Sequence, residues 1–94
     1  MKIKEIYIPN VTLPSYSSSA DGYRISLANY LPSDLQYFYT MACDFGGYAV
    51  PYIGASTSYL GLDALDFASR SILFRYSNDW VNITRTLRIV VAYK

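Results

Sequence analysis

The length, composition and charge of the chain exclude several classes of protein. Ninety-four residues allow one domain, and 52% hydrophobic against 16% charged residues indicate a folded rather than a disordered chain. Eight basic and seven acidic side chains give a net charge of +1, which excludes an electrostatic nucleic-acid binder and a polybasic membrane anchor. One cysteine and no histidine leave almost no ligands for a metal site, so the sequence predicts neither a bound metal nor a cofactor.

Alternation of side chains at every second position predicts β-strands along most of the chain. In chain order, the predicted strands are residues 2–8, 23–28, 35–43, 47–53, 71–76, 80–83 and 86–93. Segment 35–43 carries β-forming residues on both faces and is expected in the centre of a sheet, and segment 86–93 is expected to close the sheet. Pro51 cannot donate to a ladder, which favours an edge or a bulge for segment 47–53.

Two segments between the strands carry predictions of their own. Ser77, Asn78 and Asp79 separate two β-rich runs and predict the loop of a hairpin. A short turn of helix is an alternative interpretation of residues 61–69, because Leu62 and Leu65 are separated by a loosely helical spacing. About seven to eight short strands separated by turns predict an all-β fold, a small antiparallel β-sandwich that is jelly-roll-like, with a small barrel as the alternative. Residues 1–94 are expected to form this one domain.

The N-terminal segment, residues 1–14, has two open interpretations. Its predicted strand is followed by Pro9 and Pro14, which stiffen the chain. The strand either pairs within its own subunit or acts as an arm that is exchanged with a neighbouring subunit.

Few side chains offer chemistry for catalysis. Histidine, the commonest general base, is absent, and Cys43 ends an apolar strand face, where a buried and unreactive thiol is expected. Asp63 and Asp66 stand three residues apart and would share a helix face as an acid–base or calcium pair, but two solvated loop carboxylates are the favoured interpretation. The sequence therefore predicts a protein that is not an enzyme and has no catalytic or metal-ligating residues.

Tyrosine is the residue type that stands out, since it fills eleven of the 94 positions. Its side chain joins a rigid apolar ring to one polar hydroxyl, and it therefore suits core packing, subunit contacts and sugar-binding faces. The candidate ligand-binding or interface residues are Tyr48, Tyr52, Tyr59, Trp80, Tyr37 and Tyr39.

Two segments of the chain carry a family resemblance. Residues 26–39 contain a Tyr-Leu-Pro-Ser-Asp turn, Tyr30 to Asp34, that leads into a tyrosine-rich strand. Residues 80–93 hold an aromatic-led arm followed by a β-branched strand that ends in Tyr93. Both resemble a small β-domain of the virion structural proteins of tailed bacteriophages, especially fibre tips and head or tail decoration proteins. The resemblance implies a virion component, commonly trimeric, that binds other virion proteins or a host surface glycan.

Two hypotheses of function follow. The leading one is a non-enzymatic virion structural protein, a capsid or tail decoration or fibre subunit, made in the bacterial cytoplasm and assembled as a homo-oligomer. A trimer is preferred on the resemblance, and 52% hydrophobic residues are more than one small sandwich can hide. The alternative is a receptor-binding or carbohydrate-binding module that recognises a host glycan. No membrane span is expected, because the longest charge-free run, residues 45–62, contains glycines and a proline.

Overall fold

Eight strands form two antiparallel sheets in the computed structural model, which describes residues 1–15, 22–54 and 58–94. The strands are β1 Lys2–Thr12, β2 Tyr23–Ser26, β3 Phe38–Phe45, β4 Tyr48–Ala49, β5 Tyr52–Ile53, β6 Tyr59–Asp66, β7 Ser71–Tyr76 and β8 Thr84–Tyr93, and a 3-10 helix, Asn78–Trp80, precedes β8. The front sheet has the strand order β1-β8-β3-β4, and the back sheet has the order β2-β7-β6-β5. The predicted all-β sandwich is thereby confirmed.

The core lies between the two sheets and is built from apolar side chains of both. Ile89 of the front sheet and Ile72 of the back sheet are fully buried, as are Phe45 and Phe74, whose rings meet edge to face with centroids 6.3 Å apart. Removal of this apolar surface from water is the main term that stabilises such a fold.

The central position predicted for segment 35–43 is wrong for that segment itself. β3 lies between β8 and β4 in the strand order, but β4 pairs with it only at Asp44 and Phe45, and in the described residues the strand from Phe38 to Cys43 pairs with β8 alone. The strand begins at Phe38 rather than at residue 35, since the N–H groups of Gln36 and Tyr37 both donate to the carbonyl of Lys94. A register shift between Thr40 and Ala42 marks a bulge at residue 41. This extra residue puts Phe38 and Cys43 on the same buried face, although strict alternation assigns them to opposite faces.

The prediction of one strand over residues 47–53 is wrong. β4 belongs to the front sheet and β5 to the back sheet, and the chain passes between them at Val50 and Pro51, which a cis peptide bond joins. Pro51 has no N–H for a ladder, so the run of β-forming residues cannot continue as one strand.

Segment 80–83 is also not a strand, and the predicted hairpin around residues 77–79 is wrong. Trp80 ends the 3-10 helix, and residues 81 and 82 form a turn in which Asn82 has a positive φ of 66°. β7 and β8 lie in different sheets, so their connection crosses the sandwich instead of reversing within one sheet. Trp80 is buried in the core, so the segment that carries it passes between the back sheet and the front sheet.

The helical turn considered for residues 61–69 is wrong as well, because β6 runs through most of this segment. A register shift lies between Leu62 and Ala64, where β6 pairs with β7. The extra residue at the bulge interrupts the alternation of period two and produces the spacing of Leu62 and Leu65 that looks helical in the sequence.

The first and last of the eight described strands, β1 and β8, are neighbours in the front sheet. β1 pairs with β8 of the same chain from Lys2 opposite Tyr93 to Thr12 opposite Thr84, and it continues past Pro9 through a bulge. Exchange of this strand between subunits stays a prediction. β8 lies between β1 and β3, so the last strand occupies the interior of the sheet and not its edge.

Candidate functional site

Tyr48, Tyr52 and Trp80 come together where the chain passes from the front sheet to the back sheet. Tyr48 lies in β4, Tyr52 lies in β5, and Trp80 ends the 3-10 helix. The ring centroids are 5.2 Å apart for the two tyrosines, 5.3 Å for Tyr48 and Trp80, and 5.7 Å for Tyr52 and Trp80. All three pairs meet edge to face, the arrangement that the charge distribution of aromatic rings favours.

The three rings line a small cavity, which we call the aromatic notch. Its lining residues are Tyr48, Tyr52, Ser58, Asp79, Trp80, Ile83 and Arg85, and its volume is about 220 Å³. The guanidinium carbon of Arg85 lies 5.5 Å from the centroid of the Tyr48 ring, which is within the range of a cation–π contact. The lining of the aromatic notch therefore combines apolar ring surface with one cation, one carboxylate and three hydroxyl groups, those of Ser58, Tyr48 and Tyr52.

Asp79 carries a negative charge at the rim of the aromatic notch. Ser58 Oγ donates to Asp79 Oδ2 at 2.7 Å, and Ser77 Oγ donates to Asp79 Oδ1. The hydrogen bonds from Ser77 and then from Ser58 lower the pKa of Asp79 below its ordinary value. The carboxylate is therefore ionised at neutral pH and exposed to solvent.

Trp80 belongs to the core as much as to the aromatic notch. It is buried, and its ring meets the ring of Phe45 edge to face at 6.2 Å between centroids. Its indole N–H is buried and has no acceptor among residues 1–15, 22–54 and 58–94. Trp80 thus forms the buried floor of the aromatic notch, while Tyr48 is exposed at its opening.

The other three candidate tyrosines lie outside the aromatic notch. Tyr59 begins β6, where its N–H donates to Ser77 Oγ and its carbonyl accepts from the N–H of Ser77, both at 3.0 Å. Tyr37 directly precedes β3 and Tyr39 lies near its start, at the end away from the aromatic notch, and the eight residues of that strand span about 23 Å. The structure therefore brings together three of the six candidates.

Three polar residues of the aromatic notch were not predicted as site residues. Ser58 precedes β6, Asp79 lies in the 3-10 helix, and Arg85 lies in β8. Only the crossing of the chain between the sheets brings these segments together, and no local pattern in the sequence signals that crossing. The Ser58 side chain reaches Asp79 across 21 positions of the chain.

Large apolar side chains are exposed on the outer face of the front sheet. Ile3 and Tyr39 flank Ala92 in one cross-strand row, and they are 65% and 45% exposed. Met41, at the bulge of β3, is 55% exposed, and Met1 accepts a hydrogen bond on its sulfur from the Tyr39 hydroxyl at 3.1 Å. We call Met1, Ile3, Tyr39 and Met41 the outer apolar patch. Contiguous exposed apolar side chains of this kind mark interaction surfaces.

Charged side chains next to the outer apolar patch pair with one another across three strands. Arg88 Nε donates to Asp44 Oδ1 at 2.6 Å, and Arg88 Nη1 donates to Glu5 Oε2 at 3.2 Å. The hydrogen bond to Asp44, followed by that to Glu5, raises the pKa of Arg88. The two carboxylates therefore share one cation, and the centre of this sheet face carries a bound ionic cluster.

Cys43 and Asp66, which the sequence analysis considered for catalysis, are held by burial and by hydrogen bonds. Cys43 is buried, as predicted, and burial raises the pKa of its thiol to about 12. Asp66 accepts a hydrogen bond from the N–H of Ser69 at 3.2 Å and forms a salt bridge with Arg24. The hydrogen bonds from Ser69 lower the pKa of Asp66. Both Asp63 and Asp66 lie in β6, so the prediction that they are loop residues is wrong, and the side chain of Asp63 lies outside the described part of the structure.

Neither metal ligands nor a membrane-spanning helix is found in the described residues. Across the described ranges, no three acidic or cysteine side chains lie close enough to hold a metal ion. No helix in those same ranges has the length and hydrophobicity of a membrane span. Comparison of the chain with protein-family models, curated proteins and solved structures finds no match.

Proposed function

We propose that the chain is a non-enzymatic structural subunit that assembles through the outer face of its front sheet. The exposure of the outer apolar patch carries the proposal, because large exposed apolar side chains such as those of Ile3 and Tyr39 gain most when another protein covers them. The particle to which the subunit belongs is a bacteriophage virion, in its capsid or its tail.

A second copy of the chain is the partner that we assign to the outer apolar patch. Arg88 already pairs with Glu5 and Asp44, so the contact surface beside this cluster is apolar and needs no complementary charge. A stable interface takes about 800 Å² from each partner. That area is about one seventh of the 5550 Å² surface of the chain, which one face of a four-stranded sheet can supply. Closed homo-oligomers are also the usual assemblies of identical chains.

The virion role is supported by the resemblance of residues 26–39 and 80–93 to phage structural domains. These two segments are adjacent in the fold, since Phe38 pairs with Tyr93 and Tyr39 pairs with Ala92. The resembling parts therefore meet at the end of the front sheet that carries the outer apolar patch. The preference for a trimer rests on the same resemblance.

Light scattering and sedimentation of the purified chain test the assembly. We expect an oligomer, three times the mass of the chain for a trimer, that dissociates when Met41→Glu or Ile3→Glu places a charge in the outer apolar patch. Ile53→Glu is the matched control, because Ile53 is 83% exposed but lies in the back sheet. A monomer at about 100 µM wild-type chain, or equal dissociation by Ile53→Glu, would contradict the proposal.

The virion role has its own test. Phage particles purified from a culture that carries the gene should contain the chain at many copies per particle when analysed by quantitative mass spectrometry. Particles that lack the chain would remove the virion role, and they would leave the self-association measured by light scattering as a separate result.

A further inference from the structure

We propose that the aromatic notch binds one pyranose ring of a saccharide. The site is distinct from the outer apolar patch, since no residue of the patch lines the aromatic notch, and Tyr48 pairs with Phe45 at the end of β3 while Tyr39 lies near its start. Saccharide binding is therefore a separate proposal from self-assembly.

The size of the aromatic notch fits a ligand of a single ring. Its volume of about 220 Å³ is below the roughly 300 Å³ at which pockets for drug-sized ligands begin. Tyr48 presents an exposed ring at the opening, and Tyr52 and Trp80 back it with further aromatic surface. The carbon-bound hydrogens on one face of a pyranose pack on such a ring, which buries apolar surface on both partners.

The polar groups of the aromatic notch match the hydroxyl groups of a sugar. A sugar hydroxyl both donates and accepts, and the ionised Asp79 carboxylate offers an acceptor while Arg85 offers donors. Ser58 and Ser77 take one position on each Asp79 oxygen, and a carboxylate has about four such positions. Arg85 forms no salt bridge within the described residues, so its donors are available to a ligand.

The arrangement of the rings disfavours a quaternary ammonium ligand, the other common guest of clustered aromatic side chains. An aromatic cage holds such a cation between separated rings, each within about 6 Å of the charge. Here the centroids of Tyr48, Tyr52 and Trp80 are only 5.2 to 5.7 Å apart, so the rings fill the space between them. Arg85 also supplies a positive charge over Tyr48, which repels a second cation.

The fluorescence of Trp80, the one tryptophan of the chain, reports on binding directly. Methyl glucoside, methyl galactoside, methyl mannoside and N-acetylglucosamine are titrated in turn to about 100 mM, and choline chloride serves as the cationic probe. We expect saturable quenching or a spectral shift with at least one saccharide, at a Kd of about 1–10 mM, as suits a small ligand at an open site. Choline is expected to produce no saturable change.

Three variants assign the signal to the aromatic notch. Tyr48→Ala removes the exposed ring and Asp79→Asn removes the charge while keeping the shape, and each is expected to weaken binding about tenfold. Tyr7→Ala is the matched control, because Tyr7 is an exposed tyrosine like Tyr48, at 55% against 39%, but lies in β1, outside both the aromatic notch and the outer apolar patch. Circular dichroism verifies that each variant is folded.

The outcomes separate cleanly. Saccharide binding that Tyr48→Ala and Asp79→Asn weaken and Tyr7→Ala leaves unchanged supports the proposal. An emission spectrum that no saccharide alters up to about 100 mM overturns it, as does binding of choline alone. Equal weakening by Tyr7→Ala also overturns it, because the signal would then not arise at the aromatic notch.

Discussion

Phe45 connects the core to the aromatic notch, and its truncation tests whether the notch depends on core packing. The side chain is fully buried and meets Phe74 and Trp80 edge to face, at 6.3 Å and 6.2 Å between centroids. Phe45→Ala should cost about 3–5 kcal/mol of unfolding free energy, since truncation of a buried phenylalanine leaves a cavity and removes both ring contacts. A 94-residue domain is stable by roughly 5–14 kcal/mol, so the loss is a large fraction of the total.

Urea unfolding measures this loss, followed in parallel by Trp80 fluorescence and far-ultraviolet circular dichroism. Phe67→Ala is the matched control, because Phe67 is 44% exposed and has one edge-to-face contact, with Phe38 at 5.4 Å. We expect this control to lose only about 0.5–1.5 kcal/mol. If Phe45→Ala loses no more free energy than Phe67→Ala, the inference that Phe45 supports the floor of the aromatic notch is wrong.

Three further predictions concern titration, reactivity and backbone conformation. Asp79→Asn should lower the Tm at neutral pH, and the difference should vanish as the pH falls through the lowered pKa of Asp79, because the stabilisation from a depressed folded-state pKa is complete above the unfolded pKa and is lost as the folded carboxylate is protonated. Thermal unfolding between about pH 7 and pH 2 checks this, and a difference that persists at the acid end would contradict it. The Cys43 thiol, whose pKa burial raises to about 12, should react with a thiol reagent at about pH 8 only after unfolding in guanidinium chloride, and prompt reaction of the native chain would be evidence against its burial. Gly22 and Gly47 have φ of 84° and 93°, but a Cβ at Gly22 would lie 2.2 Å from the Phe74 carbonyl oxygen, whereas none of the described atoms lies within 4 Å of one at Gly47. Gly22→Ala should therefore lose more than the roughly 1 kcal/mol expected for Gly47→Ala, and equal losses in urea unfolding would refute this reasoning.

The alternation of side chains in the sequence predicts a strand correctly where that strand is regular. Residues 71–76 form β7 with the predicted bounds, because the strand is interior and pairs with β2 and β6. The prediction failed where one residue is inserted into a ladder, as at residue 41 and between Leu62 and Ala64. A bulge depends on the partner strand, so it leaves only a misleading change of period in the sequence.

The aromatic notch was predicted in part for a similar reason. Tyr48, Tyr52 and Trp80 were candidates because aromatic residues beside loops often bind ligands, and each is recognisable by itself. Ser58, Asp79 and Arg85 became site residues only because the chain crosses between the sheets at Val50 and Pro51 and again before β8. The crossing depends on how the two sheets pack together, so it cannot be recognised from the sequence of one short segment.

The position of β8 has a consequence for the order in which the fold forms. Of the eight described strands β8 is synthesised last, yet it lies inside the front sheet and is the partner of both β1 and β3. The back sheet consists of strands between residues 23 and 76, and we expect it to form first. Until β8 arrives, β1 has no partner in its own chain and presents an unpaired edge to β8 of a neighbouring chain. Strand exchange between copies would therefore be decided during synthesis, in the interval between the appearance of β1 and that of β8.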